Sequence, residues 1–205
     1  MNSIPRSIKI ASQLRDVSLG QLKQYSEAYY LYSNAKTNEK EEFYKKNNID
    51  EDEMHWLGSG DFGDAYEIGN NKVLKITKSK EEFDIAKKLI NQKFDGFVDY
   101  FDAEEVNNEY MIIMEMLDTP SSIEDTFSEL QSILDEQGIP ITYIDQYLDT
   151  DELDLDDDMV SFISDIEDVV RSYRKMGIET GDIRSENLGY DKHNKLKAFD
   201  IFERT

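Results

Sequence analysis

The spacing of apolar residues along the chain alternates between helical and strand periods, and these changes predict its secondary structure. The clearest helical pattern lies near the C-terminus and predicts a long buried helix. Its apolar positions are Met159, Phe162, Ile163, Ile166, Val169, Val170 and Tyr173. A shorter stripe after Ser79 predicts a second helix, and its apolar positions are Phe83, Ala86, Leu89 and Ile90.

Three stretches consist of two short strand-like segments joined by a short turn, which is typical of β-hairpins, and the first of them alternates between apolar and polar residues. The turns are Gly69–Asn71, Asn107–Asn108 and Lys192–Asn194. After the second hairpin the chain becomes acidic and has helical spacing from Leu117, with a break at Gly138-Ile139-Pro140. This segment is therefore predicted as a helix that joins the second hairpin to the long buried helix.

The order of these elements predicts an α+β protein with three parts. Residues 1–54 are predicted as an N-terminal helical extension of two or three helices, one of them the polar segment Thr37–Lys46. Residues 55–117 are predicted as an antiparallel sheet with one helix, and residues 118–205 as a mainly helical part.

Composition narrows the class of protein. The chain has 205 residues, 39% of them apolar, with 10 Phe and 12 Tyr, which is enough to build a core. It has no cysteine, so disulfide and thiolate chemistry are excluded, and its two histidines argue against a zinc site. The first residues lack a continuous apolar segment and no apolar run approaches membrane-spanning length, which predicts a cytoplasmic protein without a membrane partner.

The formal charge of −22 is unevenly distributed along the chain. Residues 94–170 contain no Lys, Arg or His but carry 24 of the 45 acidic residues. The more common interpretation of such a surface is solubility. The other interpretation is a face that binds a basic partner and repels nucleic acid. Charge alone does not distinguish the two.

A glycine-rich pattern, G-x-G-x-x-G, precedes the first predicted hairpin at Gly58, Gly60 and Gly63. A dinucleotide site would require a helix after these glycines, whereas the following residues alternate as a strand. A glycine-rich hairpin tip lets backbone N–H groups approach phosphates because no Cβ blocks them. The pattern therefore favours a phosphate-binding hairpin over a dinucleotide-binding turn.

Leu57–Tyr66 resembles the glycine-rich loop of protein kinases, L-G-x-G-x-F-G-x-V-Y, and Val73-Leu74-Lys75 resembles the kinase V-A-I-K. The resemblance implies that the loop contacts phosphates through Gly58, Ser59, Gly60, Phe62 and Gly63. It also implies that Lys75 binds the α- and β-phosphates. Kinases pair this Lys with a Glu of the next helix, here Glu82, although Ser79 and Glu82 also match an S-x-x-E capping box.

The segment after the long helix resembles the kinase catalytic loop, H-R-D-L-x-x-x-N, because Asp182 and Asn187 keep its Asp-to-Asn spacing. The resemblance implies that Asp182 handles the proton of the attacking hydroxyl and that Asn187 holds Mg²⁺. It implies a charge-stabilising role for Arg184, where many kinases place a Lys. Asp200 begins a segment that resembles D-F-G, which implies that it is the main Mg²⁺ ligand.

Tyr110–Leu117 resembles the kinase strand that runs into the hinge between the two lobes. The resemblance implies that Met114 is the gatekeeper residue. It also implies that the backbone from Glu115 through Met116 to Leu117 forms hydrogen bonds with adenine.

Taken from about Met54 to Phe202, these motifs resemble a minimal, atypical member of the protein kinase superfamily that lacks an activation segment and the distal C-lobe. The resemblance implies a two-lobed kinase-like fold. It also implies a transferase that uses ATP and Mg²⁺ to phosphorylate Ser or Thr of another protein, and the acidic segment 94–170 favours a basic protein as that partner. Three alternatives stay open: a small-molecule kinase of the aminoglycoside phosphotransferase type, a non-catalytic pseudokinase that acts as an acidic binding protein, and a nucleic-acid mimic, which rests on charge alone.

Overall fold

The computed structural model describes residues 39–60, 63–178 and 183–201. The chain divides into two compact units, Met1–Asn47 and Asn48–Thr205. In the first unit, residues 39–47 are helical, in agreement with the polar helix predicted there. The other helices predicted for the N-terminal extension lie outside the described residues. The second unit contains both 55–117 and 118–205.

A five-stranded antiparallel sheet forms the first part of the second unit. Its strands are β1 (His55–Ser59), β2 (Gly63–Glu67), β3 (Lys72–Thr77), β4 (Tyr100–Val106) and β5 (Glu109–Glu115), in the order β1-β2-β3-β5-β4. The turn residues Asn70, Asn71, Asn107 and Asn108 have positive φ, which Asn adopts more readily than most residues. The first two predicted hairpins are therefore confirmed.

Helix α1 (Lys80–Leu89) follows β3 and packs against β4 and β5. It begins at Ser79, whose side chain accepts a hydrogen bond from the Glu82 N–H at 3.2 Å. Its buried face consists of Glu82, Ile85, Ala86 and Leu89. The predicted stripe is thus rotated slightly: Phe83 is only partly buried because its ring stacks on Tyr110 at the sheet surface, with 4.6 Å between the centroids.

The remaining part of the second unit is mainly helical. It contains α2 (Ser122–Gln137), α3 (Ile144–Tyr147), α4 (Asp157–Met176) and a hairpin of β6 (Leu188–Tyr190) and β7 (Leu196–Ala198). All seven apolar positions of the stripe predicted for α4 are buried, and the third hairpin is also confirmed. The fold is α+β, as predicted. Within residues 39–60, 63–178 and 183–201, no helix has both the length and the apolar character needed to cross a lipid bilayer.

The start of α2 corrects one prediction. Helical spacing suggested that the helix begins at Leu117, but it begins at Ser122. The reason is that Asp118 forms two backbone hydrogen bonds with Tyr190, at 2.8 and 2.7 Å, which hold this stretch extended. Pro120 follows, and α2 ends at Gly138, whose φ of 68° matches the predicted break.

Gly96 marks the closest approach between the segment before β4 and helix α4. A Cβ at this position would lie 2.3 Å from the Cα of Val169. The Gly96 N–H donates to the Ser172 hydroxyl at 3.1 Å, and its carbonyl accepts from Ala198 at 2.9 Å. The absence of a side chain at Gly96 therefore allows the sheet, α4 and β7 to meet.

Replacing Gly96 with Ala should lower the free energy of unfolding by about 2 kcal/mol or more, because the backbone of α4 must move to admit the methyl group. Urea denaturation measures the change. Gly58→Ala is a matched control, since no described atom lies within 4 Å of its Cβ position, and it should change stability by less than about 1 kcal/mol. Equal stabilities of the two variants would contradict this account of Gly96.

Candidate functional site

Three charged residues from distant parts of the chain meet at one place. The Lys75 ammonium lies 2.6 Å from a carboxylate oxygen of Glu82 and also contacts the carboxylate of Asp200. Lys75 and Glu82 are largely buried, with side chains 12% and 4% exposed, whereas Asp200 is 28% exposed. The structure thus brings together three of the predicted site residues, and we call them the Lys75 cluster.

The sheet and helix α1 position the first two members of the cluster. Lys75 lies on the central strand β3, paired with Ala65 of β2 and Ile112 of β5. Glu82 lies in the first turn of α1. The predicted capping box is only half formed: the Ser79 side chain caps the helix, but the Ser79 N–H donates to Thr77 Oγ1 at 3.1 Å. The Glu82 carboxylate is instead directed to Lys75, because that buried ammonium requires a counter-charge.

Burial and charge have opposite effects on the ionisation of the cluster. Burial lowers the pKa of Lys75, but the carboxylates of Glu82 and Asp200 outweigh it, so the pKa lies above its ordinary value. Burial raises the pKa of Glu82, and Lys75 opposes this only in part. The pKa of Tyr100 is raised well above its ordinary value, first by burial and then by the same two carboxylates. Lys75 therefore stays protonated at neutral pH, and it is the charge that favours ionised Glu82.

Asp200 has an uncommon backbone conformation. Its φ is 54°, in the left-handed region that few residues other than Gly, Asn and Asp adopt. One residue, Phe199, separates Asp200 from the end of strand β7. Such conformations concentrate at functional sites, where the surrounding structure holds them in place. The geometry therefore marks Asp200 as a candidate for chemistry beyond an ordinary ion pair.

Two of the residues predicted for the catalytic loop, Arg184 and Asn187, lie next to and in a short 3₁₀ helix, Ser185–Asn187. The Asn187 carbonyl accepts a hydrogen bond from the Phe199 N–H at 2.9 Å, so Asn187 lies beside the residue that precedes Asp200. Arg184 is the exposed residue before the 3₁₀ helix. Asp182 and Phe62 lie outside the described residues.

A metal site at this place has two candidate ligands, Asp200 and Asn187. Among the residues that the structure describes, no group of three or more His, Cys, Asp and Glu side chains is arranged to hold a metal ion. Mg²⁺ in phosphoryl-transfer sites is usually bound by only one or two carboxylates, with substrate phosphates as further ligands. The chemistry of Asp200 and Asn187 therefore fits Mg²⁺ bound together with a phosphate.

A cavity of about 300 Å³ lies between the sheet and the start of the second part. Its lining residues are Leu57, Ala65, Val73, Met114, Glu115, Met116, Leu117, Thr119 and Phe199. The predicted gatekeeper and adenine-binding residues therefore share one cavity. Its walls are connected to the Lys75 cluster, because Ala65 pairs with Lys75 and Phe199 precedes Asp200.

Leu117 contributes hydrogen-bonding groups to this cavity. Its neighbour Met116 donates its N–H to the Asn71 carbonyl at 3.0 Å, and Asp118 pairs with Tyr190. The backbone N–H and C=O of Leu117 form no hydrogen bond with any part of the chain that the structure describes. The partly buried Leu117, which lines the cavity, thus has a backbone donor and a backbone acceptor without partners in the described chain.

The three glycines of the glycine-rich loop differ in whether packing against the described residues requires them. A Cβ on Gly63 would lie 1.9 Å from the Ile76 carbonyl oxygen, so packing against β3 requires glycine there. At Gly58 and Gly60, no described atom lies within 4 Å of the Cβ position. The Gly60 N–H donates to the Gly63 carbonyl at 2.9 Å, and the Ser59 hydroxyl donates to the Asp64 carboxylate. Gly58 and Gly60 are therefore available to a ligand rather than required by packing.

A second buried charge cluster was not predicted from the sequence. Lys197 on β7 lies 2.8 Å from a carboxylate oxygen of Glu115 and 3.1 Å from one of Asp191. The other oxygen of Asp191 accepts the N–H groups of His193 and Lys195, at 2.8 and 3.0 Å. We call Glu115, Lys197 and Asp191 the Lys197 cluster. The available signal was the alternation of lysines in the third hairpin, which places Lys195 and Lys197 on one face but does not say what they face.

The Lys197 cluster gives a pH-dependent prediction. Burial raises the pKa of Asp191, but hydrogen bonds from Lys195, His193 and Lys197 outweigh it, so the pKa lies below its ordinary value. A depressed folded-state pKa stabilises the protein above the unfolded value, near 3.9, and this contribution is lost as the pH falls through the folded pKa. Asp191→Asn should therefore be less stable than the wild type at pH 7, and the difference should shrink below about pH 4. A pH-independent difference in urea denaturation would contradict this.

The function of the chain must be argued from these residues. The Lys75 cluster, the cavity and the glycine loop are the features with chemical groups arranged around a common place. No protein-family model matches the chain, and a search of curated proteins finds no match.

Proposed function

We propose that the chain is a phosphotransferase that uses ATP and Mg²⁺, with residues 55–117 and 118–205 as the two lobes of a kinase-like fold. The observation that carries the proposal is the Lys75 cluster. In protein kinases, a Lys on the third strand pairs with a Glu of the following helix, and the Asp of D-F-G holds Mg²⁺. Here the same residue types occupy β3, α1 and the segment after β7, in the same order along the chain.

The cavity supports a site for the adenine base. Its volume of about 300 Å³ is within the range of small-molecule sites, and its walls are mostly apolar side chains. Leu117 offers a backbone donor and an acceptor, the pair of groups that a purine edge requires. Val73, Met114 and Phe199 would contact the faces of the base.

The residues around the cavity fit the phosphates and the metal ion. Gly58 and Gly60 leave the glycine loop open to close approach by phosphate oxygens. Lys75 would bind the phosphates, and Glu82 would hold the Lys75 ammonium in place. Asp200 and Asn187 would hold Mg²⁺, which neutralises charge on the transferred phosphoryl group.

The remaining roles fall on the segment between α4 and β6. Asp182 would orient the acceptor hydroxyl and accept its proton, and Arg184 would stabilise charge that develops during transfer. In such a site, positioning and electrostatic stabilisation supply most of the rate enhancement. The proposed acceptor is a Ser or Thr of another protein. The excess of acidic residues in 94–170 favours a basic acceptor.

The same acidic excess supports a second candidate, a kinase for cationic small molecules. Incubation with γ-labelled ATP and Mg²⁺ separates the candidates when cell lysate and a set of cationic small molecules are tested in parallel. Label in protein bands supports the protein kinase, and label in small molecules supports the second candidate. Label in neither, together with ATP binding, would indicate a non-catalytic pseudokinase.

Nucleotide binding can be tested without any acceptor. Mg²⁺-ATP at 100 times its dissociation constant should stabilise the folded state by about 2.7 kcal/mol, because a ligand that binds only the folded protein shifts the equilibrium toward it. The shift in melting temperature measures this. Ala65→Trp, which would fill the cavity from β2, should abolish the shift. An unchanged melting curve of the wild type at millimolar Mg²⁺-ATP would refute the proposed function.

A further inference from the structure

The segment 115–118, which contains the proposed adenine-binding residues, is attached to the rest of the fold at several points, the first being the Glu115 N–H, which donates to the Asp99 carbonyl at 2.8 Å. On one side, the Met116 N–H donates to the Asn71 carbonyl at 3.0 Å. On the other side, Asp118 and Tyr190 exchange two backbone hydrogen bonds. A side chain makes a further attachment: Lys197 of β7 binds the Glu115 carboxylate at 2.8 Å.

The ammonium of Lys197 has a fixed position. The side chains of Lys197, Glu115 and Asp191 are only 11%, 9% and 6% exposed. Asp191 is itself held by two backbone N–H groups of the turn between β6 and β7. The Lys197 ammonium therefore stays between two carboxylates, one from the turn of its own hairpin and one from the end of β5.

Stability alone is a weak explanation for such a cluster. Removing several charges from water is costly, and buried ion pairs often contribute no more to stability than apolar residues of the same size would. What a buried pair does supply is geometry, since its charges are satisfied in only one arrangement. The Lys197 cluster fixes one arrangement of two elements: the end of β5, and the hairpin whose second strand leads into Asp200.

We propose that Lys197 is a positioning residue for nucleotide recognition. By holding Glu115, it sets where the backbone of 115–117 lies relative to the hairpin that carries Asp200, so that base and phosphates are bound in register. The inference rests on the proposed function. It adds a residue that acts through the hinge segment and touches neither the base nor the phosphates.

This role predicts that the base-dependent part of binding is lost selectively. Lys197→Met should weaken Mg²⁺-ATP binding about tenfold, the effect of misplacing one or two hydrogen bonds. Binding of Mg²⁺-tripolyphosphate, which has no base, should change less than about twofold. Lys195→Met is the control: it removes a lysine from the same hairpin, but that side chain is 56% exposed and pairs with Asp165 outside the cluster. The control should bind both ligands as the wild type does.

Lys197→Met leaves the buried Glu115 without its counter-charge and is expected to reduce stability as well. Glu115→Gln/Lys197→Met removes the Lys197–Glu115 pair and leaves Asp191 with the two backbone N–H groups that it accepts, so its melting temperature should recover part of the way toward the wild type. A positioning role requires that ATP binding stay weak in this double variant despite the recovered stability. A purely structural role requires that ATP binding recover with it.

Ligand binding by the wild type tests the proposed function, and ligand binding by the variants tests the role of Lys197. If the wild type binds Mg²⁺-ATP, selective loss of ATP binding in both Lys197 variants supports the proposal. Unchanged ATP binding, equal losses for ATP and tripolyphosphate, or recovery in the double variant would overturn it and leave the proposed function intact. If the wild type binds neither ligand, the proposed function fails and the proposal fails with it.

Discussion

Replacing Asp200 with Asn should reduce phosphoryl transfer at least about 100-fold, because the carboxylate proposed to hold Mg²⁺ becomes a neutral amide. Asn preserves the shape of the side chain and tolerates the left-handed backbone at this position, so the fold should persist. A second readout does not depend on turnover. In the wild type, Mg²⁺ should strengthen ATP binding, and in Asp200→Asn this dependence on Mg²⁺ should be largely lost.

Asp145→Asn is the matched control for this substitution. It neutralises a carboxylate that pairs with Arg174 at 2.7 Å, away from the Lys75 cluster. The control should retain wild-type activity and the wild-type dependence on Mg²⁺. Full activity in Asp200→Asn, or unchanged Mg²⁺ dependence, would remove Asp200 from the proposed site.

Lys75→Met should have the second large effect, on both activity and stability. Loss of the ammonium should reduce transfer by about 100-fold. It also leaves Glu82, 4% exposed, without its principal counter-charge, which should destabilise the protein by about 3 kcal/mol at pH 8. Urea denaturation and the transfer assay measure the two effects separately.

The pH dependence of Lys75→Met tests the cause of the destabilisation. Without Lys75, burial and the Asp200 carboxylate raise the pKa of Glu82 and a hydrogen bond with Thr77 lowers it less, so the folded state binds a proton that the unfolded state, with a pKa near 4.3, releases. The stability of the variant should therefore fall, relative to the wild type, as the pH rises above about 4.3. Lys75→Met/Glu82→Gln should regain most of the stability at pH 8 but no activity. Recovery of activity in this double variant would contradict the proposed role of Lys75.

Local patterns account for the parts of the fold that were predicted correctly. The Asn-rich turns require positive φ that few residues adopt, so Asn70 and Asn107 identify their hairpins directly from the sequence. The stripe of α4, from Met159 to Tyr173, repeats over about four turns and leaves no alternative period. Both signals depend on neighbours within a few residues, which is why they can be recognised without the tertiary structure.

Glu82 shows where local and long-range signals compete. The S-x-x-E pattern favours a return of the carboxylate to Ser79, whereas the kinase resemblance favours Lys75. The long-range pair forms because a buried ammonium without a counter-charge is far more costly than one N–H, which Thr77 can satisfy. To choose between Ser79 and Lys75 as the partner of Glu82, one must know that Lys75 is buried, and the sequence does not show this.

The Lys197 cluster was beyond prediction for a different reason. Glu115 and Lys197 are 82 positions apart, and each lies in a hairpin that was predicted correctly. Alternation identifies the face on which a side chain lies but not the element that packs against it. The left-handed backbone of Asp200 was equally hidden, because Asp adopts it only where the surrounding contacts impose it.

The close packing of Gly96 on α4 has a consequence for how a ligand would enter and leave. Gly96 is held against Val169 and Ser172 without room for a methyl group. The pairing of Asp118 with Tyr190 is a second contact between residues 55–117 with their continuation and the mainly helical part. Rotation of the sheet against the mainly helical part would therefore break the backbone hydrogen bonds of both Gly96 and Asp118. Among the strands that the structure describes, the β1–β2 hairpin forms one edge of the sheet and pairs with β3 alone. We therefore expect ligand exchange to proceed by movement of this hairpin away from the rest of the sheet. Amide hydrogen exchange should then be faster in β1 than at Gly96 or Asp118.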